Sequence, residues 1–274
     1  MARLICLLIF SLITPSGAKE IVTLSVDDLS RLVREKNQNV IGSKLLTESA
    51  QARTGHHGRS YLPVVEAHVG AETFETGAYS TKTQPYGGVE AKVNLFRGGK
   101  DALEERILEN QVHTSEASGE KNFREELSEA RRIFWKVVFN REWLNHLNVA
   151  VEQNEKQLEM ANRKIARGLS SETDRLEFEI HRSQLKEEIE STSHGTMLLQ
   201  ISLSAILGMD PTTEFKTQDL IPHDHDESFL TFEVDPSAHP DVKMLRADQN
   251  IFSFQKSHAN RRWAPSIDVY GGYF

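Results

Sequence analysis

The sequence predicts a mixed fold in which a long antiparallel coiled-coil α-hairpin is joined to a β-hairpin that contributes strands to an oligomeric membrane barrel. Three observations predict it: an internal duplication, a proline-free stretch with heptad spacing, and strands that alternate strictly between apolar and polar residues. The duplication places Val40, His56, Arg59, Pro63 and Gly70 in register with Val242, His258, Arg261, Pro265 and Gly272, 202 residues on. Tyr61 against Trp263, Val65 against Ile267 and Glu66 against Asp268 keep the same offset. Each copy reads as an amphipathic helix, a Leu-Pro or Ala-Pro break, then a strand, and so long a period points to gene duplication rather than a short-period solenoid. The second copy reaches Phe274 inside its strand, so a symmetric unit predicts a further long-helix half, and the chain reads as a truncated product or a fragment.

The first 18 residues carry one basic residue, Arg3, the apolar run Leu4 to Ile13, and then Pro15-Ser16-Gly17-Ala18, whose small residues suit signal-peptidase cleavage after Ala18. The run is too short to span a bilayer as a helix, which takes about 20 apolar residues. Export is therefore predicted. Cys6, the single cysteine, lies in this segment, so the mature chain has no disulfide and no cysteine-based metal site. A net charge of -8 leaves no basic stripe to neutralise phosphates, which excludes a nucleic-acid partner. Hydrophobic residues make up 38% of the chain, little for a compact globule, but elongated helices with narrow apolar seams need no more.

Between Pro85 and Pro211 there is no proline, and long helices are predicted over about 99–167 and 172–208. Ala130, Val137, Leu144, Val151, Leu158 and Ile165 fall seven apart, a coiled-coil seam. Leu185, Ile189, Thr192, Thr196, Leu199, Leu203 and Ile206 supply a facing seam in steps of three and four, and a short turn between them makes a helical hairpin. At about 1.5 Å per residue the first helix would reach roughly 100 Å.

The β-hairpin is predicted over about 63–96. Along Val65 to Thr73 and Val89 to Leu95, small or apolar residues alternate with polar ones, as they do in Ile267 to Tyr270 of the second copy. Tilted membrane strands need about 9 to 11 such residues and a closed set of partners, because an unpaired edge in lipid leaves backbone groups unsatisfied. Glu66, His68, Glu72, Glu90, Lys92 and Asn94 would then face a water-filled lumen, and Val65, Ala67, Val69, Val89, Ala91, Val93 and Leu95 lipid or a neighbouring subunit. Residues 209–238 read as a polar connector, and 239–274 as the start of the second repeat.

These residues match a known pattern. Tyr61-Leu62-Pro63 before the first strand, Asn94-Leu95-Phe96-Arg97-Gly98-Gly99 at the strand-to-helix exit, Arg167-Gly168-Leu169-Ser170-Ser171-Glu172-Thr173-Asp174 at the helical turn and Ala205-Ile206-Leu207-Gly208 before the connector occur in order over residues 19 to 274. The chain resembles the TolC-like outer-membrane factors. That resemblance implies a homotrimer in outer-membrane lipid with its helices in the periplasm, a passive duct for efflux or type I secretion that joins a periplasmic adaptor protein and an inner-membrane pump. It also implies Arg167, Gly168, Leu169 and Ser170 as adaptor-docking residues, and Thr173 and Asp174 as gate-linking positions whose partners lie in the second half. A soluble periplasmic adaptor-like protein is the alternative reading.

No catalytic residue, metal ligand or cofactor is assigned. Phe96-Arg97-Gly98-Gly99-Lys100 lacks the spacing with which a P-loop cradles phosphates, and a strand-to-helix break accounts for it. His223-Asp224-His225-Asp226 offers metal-ligating types but reads as a solvated acidic loop; a metal-dependent enzyme built on His223 and His225 is the third possibility. His56-His57 is expected to cap a helix end or face solvent. At the turn, Gly168 suits a left-handed helix end, Ser170 or Ser171 is expected to cap the next helix, and Asp174 sits at the positive end of its dipole.

Overall fold

The computed structural model describes residues 21–75, 81–217 and 235–273; the leader and the His223-to-Asp226 loop lie outside the described residues. The fold is mostly helical, with two small sheets, and divides into two units. Helix α4, Lys100–Ala166, gives residues 100–126 to one and 127–166 to the other.

The first unit holds β1 (Ile21–Thr23), α1 (Val26–Lys36), the second part of α4, α5 (Glu172–Ile206) and β4 (Glu214–Lys216). At the start of α1 the Asp28 carboxylate accepts the backbone N–H of Ser25 at 3.3 Å, while Asp27 and Asp28 in its first turn and Arg34 and Lys36 in its last complement the helix dipole. Its buried face, Leu29, Leu32 and Val33, belongs to a core with Leu24, Phe134, Val138, Leu203 and Leu207. Burying each such side chain is worth about 1.5–3 kcal/mol. Asn37 ends α1 by turning extended, and its amide donates to the Ile206 carbonyl at 2.8 Å, satisfying an acceptor that the last turn of α5 cannot. β1 and β4 pair in parallel, Val22 opposite Phe215, so residues 214–216 of the predicted connector form a strand, with Phe215 in it and Thr213 just before it buried.

Along α4 the six seam residues read from the sequence are all buried or half-buried. A second seven-residue set, Ile133, Asn140, Leu147, Asn154 and Ala161, lies beside it and is buried as deeply or more so. Every residue of the α5 seam is likewise buried or half-buried, whereas Met197 and Leu198 point outward. Polar groups join the two helices: Asn140 donates to Thr196 at 3.0 Å and the Trp143 indole to Glu188 at 3.1 Å.

The second unit holds α2 (Gln38–Arg53), α3 (His56–Arg59), the start of α4, α6 (Pro240–Asn260) and a three-stranded sheet of β2 (Val64–Glu75), β3 (Thr81–Phe96) and β5 (Ile267–Tyr273). The two repeat-related helices α2 and α6 both bond to the first part of α4. Asn122 reaches Ser43 at 2.7 Å and Thr47 meets Ser115 at 3.1 Å; Lys121 pairs with Asp241 at 2.9 Å and Thr114 with Asp248 at 3.2 Å. Small buried residues, Ser43, Ala50, Ala117 and Ala247, line these helices. The strands repeat the same symmetry. β3 is central and antiparallel to both neighbours, and its neighbours β2 and β5 are the two copies of one duplicated strand. Pro85 lies inside β3, beyond the stretch 89–96 that pairs with β5, where a missing N–H is tolerated.

Helix α5 ends with Gly208 in the left-handed region at φ 61°. A Cβ there would stand 2.3 Å from the Lys36 carbonyl oxygen, whereas one on Gly168, at φ 73°, would meet open space. Both positions charge a substituted alanine about 1–2 kcal/mol of backbone strain. Gly208→Ala is therefore expected to destabilise the chain by more than that and Gly168→Ala by no more, an order that urea denaturation of the two variants checks.

Candidate functional site

Two places concentrate the residues singled out by the sequence: the turn between α4 and α5, and the sheet with its exit into α4. The turn is built by local hydrogen bonding. Gly168 N–H returns to the Ile165 carbonyl at 2.8 Å and Leu169 N–H to Lys164 at 2.9 Å, the paired bonds of a glycine-terminated helix that satisfy carbonyls otherwise left over. Arg167, Gly168 and Leu169 are exposed, Ser170 half so; Leu169 is 73% exposed. Ser171 is the N-cap of α5, but its hydroxyl accepts no backbone N–H, contrary to the capping expected of it. It donates instead to Asp174 at 3.4 Å, and the Ser170 hydroxyl donates to the other Asp174 oxygen. The carboxylate at the third helical position therefore gathers both serines, which a count of Ser and Asp residues could not reveal. Thr173, one position earlier, is exposed.

The register of the sheet fixes which side chains share a face, because directly opposed residues point the same way. Glu66 faces Glu90, His68 faces Gly88, Glu72 faces Gln84 and Lys92 faces Tyr270; Val65 faces Ala91, Ala67 faces Val89 and Val93 faces Val269. His68 and Tyr86 each lie over a glycine across the strand pair, where a Cβ on Gly88 or Gly70 would clash with the ring. The apolar face is uncovered by the described residues: Val65, Val89 and Leu95 are exposed, and Val69 is 92% exposed. Lys92 is tied down, 3.5 Å from Asp268 and stacked 4.9 Å over Tyr270.

Asn94 departs from the lumen-facing expectation. It is 4% exposed and its amide donates at 3.2 Å to Asp101 in the first turn of α4, next to a register irregularity between Asn94 and Phe96. The exit itself is made by Gly98 and Gly99, both left-handed, against which Arg261 donates to the Gly99 carbonyl at 2.9 Å. His56 also departs from expectation: its imidazole turns to Glu104, 2.7 Å away, rather than to solvent. Glu105 takes the capping task at that helix end, accepting from Gly55 N–H at 2.6 Å and His57 N–H at 3.1 Å. Partial burial pushes its carboxyl up, but those backbone donors outweigh it and hold it below the ordinary range.

Among the described residues no helix is long and apolar enough to cross a membrane. No protein-family model matches the chain, and no curated protein matches it. Solved structures do. The Campylobacter jejuni CmeC outer membrane channel superposes with a TM-score of 0.72 at 15% identity, covering 90% of this chain and 55% of that one. The Vibrio cholerae outer membrane protein VceC gives 0.70 at 11% identity, covering 90% and 61%, and the open state of the Neisseria gonorrhoeae MtrE outer membrane channel 0.64 at 13%, covering 90% and 57%. The chain thus spans little more than half the length of these channels.

Asp174 gives a test of the turn. The Ser170 hydroxyl first, then the Ser171 backbone N–H, hold its carboxyl below the ordinary value of 3.8. A depressed carboxyl contributes its full stabilisation above the unfolded value and loses it only as pH falls through the folded one, so the turn should stay intact through pH 3.8 and loosen below it. Carbon NMR titration should place the Asp174 midpoint below 3.8, and Ser170→Ala should move it upward. At these identities the structural likeness is one of fold, and by it the chain has the fold of the TolC-like outer-membrane factors.

Proposed function

We propose that the protein is a subunit of an outer-membrane efflux or type I secretion duct, assembled as a homotrimer and joined through its periplasmic end to an adaptor protein and an inner-membrane pump. One observation carries this reading: a chain with the fold of outer-membrane channels presents a three-stranded sheet whose apolar face the described residues leave bare. Such a sheet gains a favourable environment in lipid only when its edges pair with further strands to close a barrel. In this reading β2, β3 and β5 form part of the wall. Glu66, His68, Glu72 and Glu90 line the water, and α4 with α5 forms an antiparallel coiled-coil hairpin directed into the periplasm.

The turn from Arg167 to Ser170 is then the docking point for the adaptor. Leu169 is its apolar anchor, held out by a left-handed glycine rather than by packing of its own. Thr173 and Asp174 lie one turn inward, where they would link neighbouring coils at the entrance. A duct performs no bond chemistry. Its work is to exclude lipid on one face, keep water on the other and hold its coils in register.

Fractionation and planar-bilayer recording test the reading: the protein is expected in the outer membrane, extractable only with detergent, and to conduct ions when reconstituted. A water-soluble monomer without amphiphile would overturn it. The faces are tested separately by Val69→Arg and Val93→Arg, each expected to cost up to about 2–4 kcal/mol near the midplane and to reduce outer-membrane assembly, whereas His68→Arg should assemble normally. The opposite pattern would reverse the assignment. Leu169→Asp should leave conductance unchanged and weaken capture by the adaptor at least tenfold.

A further inference from the structure

At the root of the sheet, four side chains distant in sequence meet inside the second unit: His56, Asp101, Glu104 and His258. His56 Nε2 stands 2.7 Å from Glu104 Oε2 and 3.6 Å from Asp101 Oδ1, and ligand atoms of these three residues lie within 4.8 Å of one another. His258 Nε2 is 3.2 Å from the other Glu104 oxygen. The two histidines are the corresponding positions of the internal duplication, so a single carboxylate on α4 serves both copies.

The geometry points to a site for a divalent first-row metal ion, Zn2+ by its donor types, with His56, Asp101 and Glu104 as ligands and His258 bracing Glu104. The first reason is a set of buried donor atoms that close contacts surround but no aligned hydrogen bond satisfies. His56 Nε2, His258 Nε2 and Asp101 Oδ1 are closed off from solvent, and none takes part in an aligned hydrogen bond. The Asp101 side chain is 3% exposed, and its second oxygen is already fixed by the Asn94 amide, which leaves Oδ1 aimed at His56. Burying a carboxylate oxygen without a hydrogen bond is expensive, and a bound cation offsets that cost.

The second reason is spacing. Two donors about 2.0–2.1 Å from a shared tetrahedral or octahedral ion are roughly 3–3.5 Å apart and aim at the ion rather than at each other. The separations of 2.7 and 3.6 Å fall just below and just above that range, and all three ligand atoms lie within 4.8 Å of one another. Imidazole selects against Mg2+ and Ca2+, and two carboxylates with no thiolate select against Cu(I). Arg97 is the competitor, its guanidinium 3.6 Å from Asp101 Oδ1, but that side chain is 43% exposed and lies outside hydrogen-bond range. A hollow of about 250 Å3 lined by His56, Arg59, Asn94 and Arg97 opens beside the cluster and supplies the entry path. An ion here would tie α3, which leads into β2, to the start of α4, with the C-terminal end of α6 held through His258.

The whole chain, purified in detergent, stripped with chelator and desalted, is titrated with Zn2+ and its metal content measured. One Zn2+ per chain is expected, with a rise in Tm on binding. His56→Gln should weaken binding at least 100-fold and abolish the Tm rise, and His258→Gln should weaken it about 10- to 100-fold, as loss of a ligand-orienting group does. His57→Gln, whose ring packs edge-on against Tyr61, should change nothing. Circular dichroism establishes that each variant folds, and Glu104→Gln replaces His56→Gln should that one fail. Retention of no Zn2+, unchanged binding in a folded His56→Gln chain, or binding lost instead with His223→Gln and His225→Gln would each overturn the site.

Discussion

The base of the sheet depends on two adjacent glycines in the left-handed region, Gly98 and Gly99. Both φ values favour glycine, and at Gly98 the space does too, since a Cβ there would stand 2.2 Å from the Ala264 Cβ; at Gly99 the near atom, 2.4 Å away, is the movable Arg261 guanidinium. By turning β3 sharply into α4 they bring the second repeat against the first. Ala264 and Arg261 fit the notch, β5 is laid beside β3, and Asp101 in the opening turn of α4 comes under Asn94. Without that corner the two copies of the duplicated strand would have no common partner.

Beyond the corner, the chain is organised by close approach rather than by a large core. α2 and α6 meet α4 largely through serine, threonine, asparagine and alanine, and their cross-links include side-chain hydrogen bonds of 2.6–3.2 Å. Such contacts contribute about 0.5–1.5 kcal/mol each and depend on geometry, so they specify register more than they add stability. The most deeply buried large apolar side chains lie in the first unit, where Leu24, Phe134, Leu203 and Leu207 are almost fully buried. On α4 the seam continues away from that core through Asn154, buried with neither side-chain polar atom hydrogen-bonded. A polar asparagine in a seam costs stability and fixes alignment between helices.

Periodicity made the long elements legible. The heptad run from Ala130 to Ile165 and the alternation from Val65 to Thr73 are signals that repeat often enough to survive local exceptions, and both carry over to the burial and register of the folded chain. What lacked repetition was hidden. β1 and β4 are three residues each and pair across almost the whole first unit, so neither could be told from loop. The seam of Ile133, Asn140, Leu147, Asn154 and Ala161 escaped because two of its members are polar. The alternation in the second strand was legible only from Val89, whereas the strand itself begins at Thr81 and holds Pro85 and Gly87 where β5 does not reach. The cluster around Glu104 joins residues far apart in sequence; its one visible trace was that His56 and His258 occupy the same place in the duplication, a coincidence of positions whose meaning only the fold supplies.

The sheet's polar face bears on which environment suits it. Glu66 stands directly across from Glu90, and opposed like charges destabilise a strand pair wherever they are not solvated. Packing that face into a dry core would require both carboxylates to be neutralised or paired, and no ion pair to either is found among the described residues. Water is therefore the environment this face needs. The other face, with Val65, Val69 and Val89, has the opposite requirement, since it offers no hydrogen bond to water and leaves apolar area uncovered. A soluble sandwich would meet one demand by laying a second sheet over the valines; among the described residues the only other strands are β1 and β4, three residues each and paired with one another. In the proposed duct, a boundary with water on one side and hydrocarbon on the other would meet both demands at once, and strands of 12 and 16 residues are long enough to cross it at a tilt.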